Sequence, residues 1–326
     1  MTRTLDPALL IARQRPVVVR GLVRDWPIVR AGRDGPAAAA AYLKRFYRSA
    51  PVVGYTGDPT IGGRFFYDAS GTAMNFTATR VALDAYLDRI LATLDAFDAP
   101  ARYVGSTDLD TYLPGFRAEN DLAADFDGAT PLASIWIGNR TTAATHFDMS
   151  NNIACCVVGR RRFTLFPPEQ IANLYPGPLE PTPGGQVVSM VDPRAPDFAR
   201  YPRFAEALAS AEVIELEPGD VLVYPALWWH NVEALDGFNV LVNYWWNMAP
   251  RFMDSPMNTV LHGLLSLRDR PDSEKQAWRA LFDYYVFGPA ERPAEHLPEP
   301  MRGALAPLTD LSARRLRAQL VQRLNR

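Results

Sequence analysis

The feature that most constrains the fold is a series of short strand-like segments between about residues 101 and 250. Segments such as ASIWIGN, NNIACCVVG and NVLVNYWW are mostly apolar, and Gly, Pro or Asp residues separate them. A parallel sheet would need a helical crossover after each strand, and the spacing here is too short for one. The pattern therefore predicts a mainly β fold, either a sandwich or a barrel.

Helical periodicity flanks this β region on both sides. N-terminal helices are expected between about residues 36 and 100, and a helical extension over residues 251–326. We therefore predict one domain over residues 1–250 with its β core at about 101–250, followed by the extension. One N-terminal apolar stripe comprises Leu83, Tyr86, Ile90, Leu94 and Phe97, and a C-terminal stripe comprises Leu316, Leu320 and Leu324. The C-terminal stripe either packs on its own domain or joins a second copy in a homodimer.

Composition excludes several classes of partner. The 34 Lys and Arg residues nearly balance the 36 Asp and Glu residues, leaving a net charge of -2, so nothing predicts attraction to nucleic acid or to an anionic membrane. No apolar run approaches the roughly 18 residues of a membrane span, and the first residues lack the apolar core of a secretory signal. Cys155 and Cys156 are adjacent, which favours two buried thiols over a disulfide. We expect a soluble, cytoplasmic protein.

The segment ATHFDMSNN places His146 and Asp148 two residues apart. In a strand this spacing puts both side chains on one face, as a chelating pair requires. The later segment YPALWWHNVEAL offers His230 as a third ligand. Two histidines and one carboxylate with open positions are typical of non-haem Fe(II) oxygenases. The alternatives are a polar turn for the first pair and a hydrogen-bonded core histidine at position 230.

An oxygenase of this kind usually needs an acidic co-substrate, and the far carboxylate of that acid needs a cation. The segment GRRRFTLFPP alternates so that Arg161 shares a face with Phe163 and Leu165, whereas Arg160 and Arg162 lie on the other. Because Phe163 and Leu165 are apolar, this face is predicted to point inward. A buried guanidinium can grip a carboxylate through two parallel hydrogen bonds.

Five motifs occur in a fixed order between about Arg15 and Pro250: RPVVVRGLVRDWP, WIGN, THFDMSNNIACCVVGRRRFTLFPPEQIANLYPGP, EPGDVLVYPALWWHNVEAL and NVLVNYWWNMAP. Together they resemble the JmjC or cupin-like Fe(II)/2-oxoglutarate-dependent oxygenases, in particular the branch that includes the factor-inhibiting asparaginyl hydroxylase of hypoxia-inducible factors. The resemblance implies a double-stranded β-helix (jelly-roll or cupin) core. It also implies Fe(II), 2-oxoglutarate and O2 as cofactors, with iron bound by His146, Asp148 and His230.

The resemblance extends to residues around the metal. It implies active-site asparagines at Asn152 and Asn243 and a tyrosine that binds the co-substrate at Tyr103. A threonine of the family precedes the first ligand, and Thr142 and Thr145 both remain candidates for it. Arg161 stands where the family usually has lysine, and Ala154 stands where the asparaginyl hydroxylase has an aromatic residue. The metal site matches the family pattern, whereas the substrate assignment does not transfer.

The expected activity is hydroxylation of a side chain in a protein or peptide. The alternatives are a small-molecule hydroxylase, or an N-methyl demethylase that uses the same chemistry. A metal-dependent oxygenase or isomerase without 2-oxoglutarate is a further alternative, because Arg161 departs from the family pattern. A fourth is a non-catalytic cupin-like module for binding or dimerisation.

Overall fold

The computed structural model describes residues 4–96 and 98–325. Contacts divide the chain into two units, Met1–Asn247 and Met248–Arg326. The first unit contains all the described strands, which are β1 (Val17–Val19), β2 (Val52–Gly57), β3 (Arg64–Phe65), β4 (Phe76–Val81), β5 (Ala101–Asp108), β6 (Leu132–Gly138), β7 (Thr142–Phe147), β8 (Asn151–Val158), β9 (Arg161–Phe166), β10 (Glu212–Leu216), β11 (Val221–Tyr224), β12 (Trp229–Ala234) and β13 (Asn239–Trp246).

These strands form two sheets. The larger has eight strands in the order β1-β11-β8-β13-β6-β5-β2-β4, and the smaller has five in the order β10-β9-β12-β7-β3. Strands β3 and β7 are parallel, and the other described pairs are antiparallel. The predicted mainly β, cupin-like architecture is therefore confirmed.

The two sheets pack face to face around an apolar layer to which both contribute. Because successive strand residues point to opposite faces, β8 contributes side chains both to the layer between the sheets and to the layer under the helices. Cys156 faces the second sheet and Cys155 faces the opposite layer, and both are buried, free thiols. The layer between the sheets includes Ala154, Cys156, Phe163, Leu165, Leu222 and Leu241.

Helices cover the outer face of the eight-stranded sheet. The first unit contains α1 (Pro7–Ile11), α2 (Pro27–Arg33), α3 (Pro36–Lys44), α4 (Leu83–Leu91), α5 (Leu109–Tyr112), α6 (Phe116–Glu119) and α7 (Phe204–Ala209). Helix α3 has a proline in its first turn and a run of alanines, which favour helix initiation and propagation. Residues of α2, α3 and α4 pack in one cluster with the outward-facing residues of the sheet.

The region at 36–100 is less helical than expected. It contains α3 and α4, and β2, β3 and β4 lie between them. Strand β2 pairs with β4 and with β5, so long-range pairing determines its structure where the local pattern gave no strong signal. The apolar stripe is present in part: Leu83, Tyr86 and Ile90 are buried on α4, whereas Phe97 lies outside the described residues.

The second unit is helical, with α8 (Pro256–Ser266), α9 (Asp272–Phe282) and α10 (Asp310–Leu324). Helix α10 begins with a capping box between Thr309 and Ser312. Within the described ranges, no helix combines the length and the apolarity needed to cross a membrane.

Candidate metal centre and its cavity

The side chains of His146, Asp148 and His230 converge in the first unit. Each offers one ligand atom, and these atoms all lie within 4.8 Å of one another. His146 and His230 are direct partners across β7 and β12, with ring centroids 4.3 Å apart. Nε2 of His230 lies 3.6 Å from Oδ2 of Asp148. Two cross-strand neighbours and the residue after β7 therefore form a compact set of donors for a metal ion.

Backbone carbonyl groups orient both imidazoles. Nδ1 of His146 lies 2.8 Å from the Ala144 oxygen, and Nδ1 of His230 lies 2.9 Å from the Trp228 oxygen. Because a carbonyl oxygen only accepts, each Nδ1 must carry the proton, which leaves Nε2 free to bind a metal. Burial, and next the neighbouring His146, lower the pKa of His230, which is therefore neutral at pH 7.

The carboxylate of Asp148 is held by two neutral donors. Nδ2 of Asn152 donates to Oδ2 at 3.2 Å, and Nε1 of Trp245 donates to the same oxygen at 3.1 Å. Asn152 is thus placed beside the metal ligands, as its position in the motif implied.

A cavity of 360 Å³ contains the metal ligands. Four of the other predicted residues also line it: Asn152, Asn243, Tyr103 and Arg161. Oδ1 of Asn243 accepts a 2.7 Å hydrogen bond from Nε1 of Trp136. That bond leaves the Asn243 amide nitrogen as the group able to donate to a molecule in the cavity.

Arg161 is the cation of this cavity. It is only 3% exposed, and its Nε and Nη2 have no hydrogen-bond partner among the described residues. Burial lowers the pKa of Arg161 and raises that of the neighbouring Tyr103, whose hydroxyl is therefore neutral. Arginine nevertheless remains protonated in proteins, so the cavity holds a charge with unused donors. Arg160 and Arg162, in contrast, form exposed ion pairs with Asp236 and Glu215.

Neither candidate threonine is among the described residues that line the cavity. The register of β7 against β12 shifts between the pairs Ala143–Val232 and His146–His230, so β7 contains an extra residue there. Such a bulge reverses the alternation of side chains. Thr142 instead accepts a hydrogen bond from Arg194, and Thr145 is fully buried away from the cavity. The threonine that lines the cavity is Thr141.

The segments ALWWHN and NYWWN contain four tryptophans, and one of them lines the cavity. Of Trp228, Trp229, Trp245 and Trp246, only Trp245 is among the described lining residues, and the other three pack in apolar clusters. Trp136 lines the cavity unpredicted, and so do Tyr55, Phe65 and Phe76 from β2, β3 and β4. The β2 sequence VVGYTG shows no clean alternation of apolar and polar residues, so it gave no local signal for Tyr55.

The region that contains the metal ligands and the cavity is also the region that is similar to known proteins. Residues 4–252 match the family model described as a cupin-like domain. The chain belongs to the cupin-like domain family. The resemblance drawn from the five motifs is therefore confirmed at the level of the family.

The names of the curated relatives describe different roles, namely association with another protein, tRNA modification and lysine demethylation. HSPB1-associated protein 1 of Rattus norvegicus is 37% identical over 256 residues, which cover 73% of this chain and 50% of the relative. tRNA wybutosine-synthesizing protein 5 of Danio rerio is 35% identical over 135 residues, covering 41% and 36%. Lysine-specific demethylase 8 of Xenopus tropicalis is 26% identical over 243 residues, covering 72% and 48%. The chain spans half or less of the length of these relatives.

Proposed function

We propose that this chain is an Fe(II)- and 2-oxoglutarate-dependent oxygenase that hydroxylates a side chain of a protein or peptide. One observation carries the proposal. A His-Asp-His donor set and a buried guanidinium with unused donors line the same 360 Å³ cavity. A module that only bound partners through its surface would gain nothing from burying an unsatisfied charge, which is costly.

The donor set fits Fe(II). The two imidazoles would bind it through Nε2, and a single carboxylate would leave the ion a residual positive charge. Fe(II) with 2-oxoglutarate and O2, when bound, would supply the oxidising chemistry that converts a C–H bond into an alcohol. His146, Asp148 and His230 would hold the metal on one side, leaving the rest of the cavity for the co-substrate and the substrate.

Arg161 would bind the far carboxylate of 2-oxoglutarate. Its unused Nε and Nη2 are the pair of donors that grips a carboxylate in a bidentate fashion. Tyr103 lies beside this guanidinium and supplies a hydroxyl donor. Asn243 would add its amide nitrogen, which Trp136 orients through the opposite oxygen. Arginine in place of the family lysine thus retains the charge and presents its donors as a planar fork.

Thr141 would act as the co-substrate threonine in place of Thr142 and Thr145. Thr141→Val should raise the KM for 2-oxoglutarate about three- to tenfold, as expected for a lost neutral hydrogen bond of roughly 0.5–1.5 kcal/mol. Thr142→Val and Thr145→Val are the matched controls and should leave this KM unchanged, because both side chains point away from the cavity. Steady-state succinate formation measures all three. A larger effect of either control would contradict the assignment.

The charges of the cavity favour hydroxylation of a neutral group over demethylation of a lysine. Among the described lining residues, Asp148 carries the only carboxylate, and it belongs to the metal site. No second carboxylate among them could pair with a methylated ammonium group. Fe(II) and Arg161 together carry three positive charges, which Asp148 and the two carboxylates of 2-oxoglutarate balance. The loaded cavity is thus neutral and suits a neutral substrate group.

Mass spectrometry of lysate proteins treated with the enzyme under 18O-labelled dioxygen tests the substrate class. The proposal expects one labelled oxygen on a peptide side chain, absent when His146→Ala protein is used. Labelled oxygen found only in a small molecule would contradict a peptide substrate and favour a small-molecule hydroxylase. Loss of a methyl group from lysine would replace hydroxylation with demethylation.

We also propose that the second unit forms a homodimer. Its helices and the aromatic segment Asp283–Phe287 expose large apolar side chains, with Leu265 at 78% and Phe287 at 75% exposure. A chain ending before α10 should sediment as a monomer, whereas the full chain should sediment with twice the monomer mass. An unchanged mass after the truncation would contradict a role for α10 in dimerisation.

A cytoplasmic location is the remaining part of the proposal. Both cysteines are free and buried, and burial raises the pKa of both thiols, which keeps them unreactive. Free thiols of this kind suit a reducing compartment. Fractionation of cells that express the full chain checks this directly.

A further inference from the structure

The indole of Trp245 donates a hydrogen bond to the metal-ligand carboxylate. We propose that Trp245 is a positioning residue that fixes Asp148 for metal binding, together with Asn152. The inference rests on the proposed function only in taking Asp148 as a ligand. It assigns a specific role to the N–H group of Trp245, which donates to Asp148.

Asp148 needs such support because of its place in the chain. Strand β7 ends at Phe147, so Asp148 lies just beyond it, at the start of the turn to β8. His146, in contrast, is fixed by pairing with His230 on one side and with Val188 on the other. The backbone oxygen of Asp148 accepts one hydrogen bond, from the Leu227 N–H group, but the described strand pairs end at Phe147. The orientation of the carboxylate therefore depends more on its side-chain hydrogen bonds than on ladder pairing.

The two donors to Asp148 act as one unit. Trp245 and Asn152 are direct partners across β13 and β8. Both donate to the same oxygen, Oδ2, at 3.1 Å and 3.2 Å. Oδ2 is also the oxygen that lies 3.6 Å from Nε2 of His230. The cross-strand pair of Trp245 and Asn152 thus fixes Oδ2, the Asp148 oxygen that lies near His230.

Trp245 is itself held rigidly. Its strand, β13, pairs with β6 on one side and β8 on the other. Its ring packs edge-on against Trp136, with centroids 5.6 Å apart and an interplanar angle of 88°. An indole has one N–H donor, and here that donor points at Asp148. A neutral donor stabilises the carboxylate without adding a charge that would repel the metal.

Titration of the metal-free full chain with Mn(II), followed by the electron paramagnetic resonance signal of the free ion, tests the inference. Partners that support metal ligands typically change metal affinity about 10- to 100-fold, and with Asn152 still in place we expect the Kd to rise about tenfold in Trp245→Phe. Benzothienylalanine at position 245 keeps the fused ring and lacks the N–H donor, so it should produce the same rise. The melting temperature of the metal-free benzothienyl variant should match that of the wild type.

Trp246→Phe is the matched control. Trp246 is the next residue of β13, faces the opposite side and packs against Phe126. Its replacement should lower the melting temperature without changing the Kd for Mn(II). A benzothienyl variant with a Kd within about twofold of the wild-type value would overturn the role of Trp245 and leave the proposed function intact. Failure of the wild type to bind Mn(II) at a His146-dependent site would instead overturn the proposed function.

Discussion

Replacing His146 with alanine is expected to abolish binding of Fe(II) at the cavity and to reduce 2-oxoglutarate turnover by at least about 100-fold. His146 supplies one of three ligand atoms, and the two that remain would hold the ion weakly and in the wrong geometry. Losing a ligand should cost more than losing a supporting partner, for which about 10- to 100-fold is typical. Anaerobic calorimetric titration with Fe(II) measures the binding, and succinate formation measures the turnover.

His262→Ala provides the matched control for His146→Ala. His262 lies on α8 of the second unit and is exposed, so its loss should affect neither Fe(II) binding nor turnover. Stoichiometric Fe(II) binding that survives in a folded His146→Ala protein would contradict the assignment of the metal centre.

Replacing Arg161 with methionine is expected to increase stability while weakening binding of the co-substrate. Two donor nitrogens of the buried guanidinium, Nε and Nη2, have no partner in the described part of the chain, and a neutral side chain of similar length would remove that desolvation penalty. We expect the free energy of unfolding of the ligand-free protein to rise by about 1 kcal/mol or more. The KM for 2-oxoglutarate should rise about 100-fold, because a bidentate, charge-assisted contact is lost.

Thermal denaturation with and without 2-oxoglutarate, in the presence of Mn(II), separates these two effects. The co-substrate should raise the melting temperature of the wild type and have little effect on Arg161→Met. Arg162→Met is the control, since Arg162 lies on the outer face of the same strand in an exposed pair with Glu215. Equal stabilisation of wild type and Arg161→Met by 2-oxoglutarate would contradict the role of Arg161.

The parts of the site that follow simple alternation could be predicted from the sequence. A period of two placed His146 and Asp148 on one face, and it placed Arg161 inside and its two neighbours outside. The same rule turned Cys155 and Cys156 toward opposite layers. Strong local patterns of this kind survive folding because moving one residue out of register would expose the whole apolar face.

The remaining parts depend on pairing between distant segments. The bulge in β7 arises where β12 pairs with it, and it moves Thr141 into the cavity in place of Thr142. Likewise, Tyr55 lies in the cavity wall because β2 joins the sheet beside β5. No local propensity specifies a register between strands that lie far apart in sequence, so these residues could be located only in the folded chain.

The most direct test of the proposed activity is succinate formation by the full chain supplied with Fe(II), 2-oxoglutarate, air and lysate proteins. We predict one succinate for each 2-oxoglutarate consumed, with turnover that requires Fe(II), disappears in His146→Ala and falls sharply in Arg161→Met. Turnover that stays unchanged in both variants, or Fe(II)-loaded wild-type protein that forms no succinate, would contradict it.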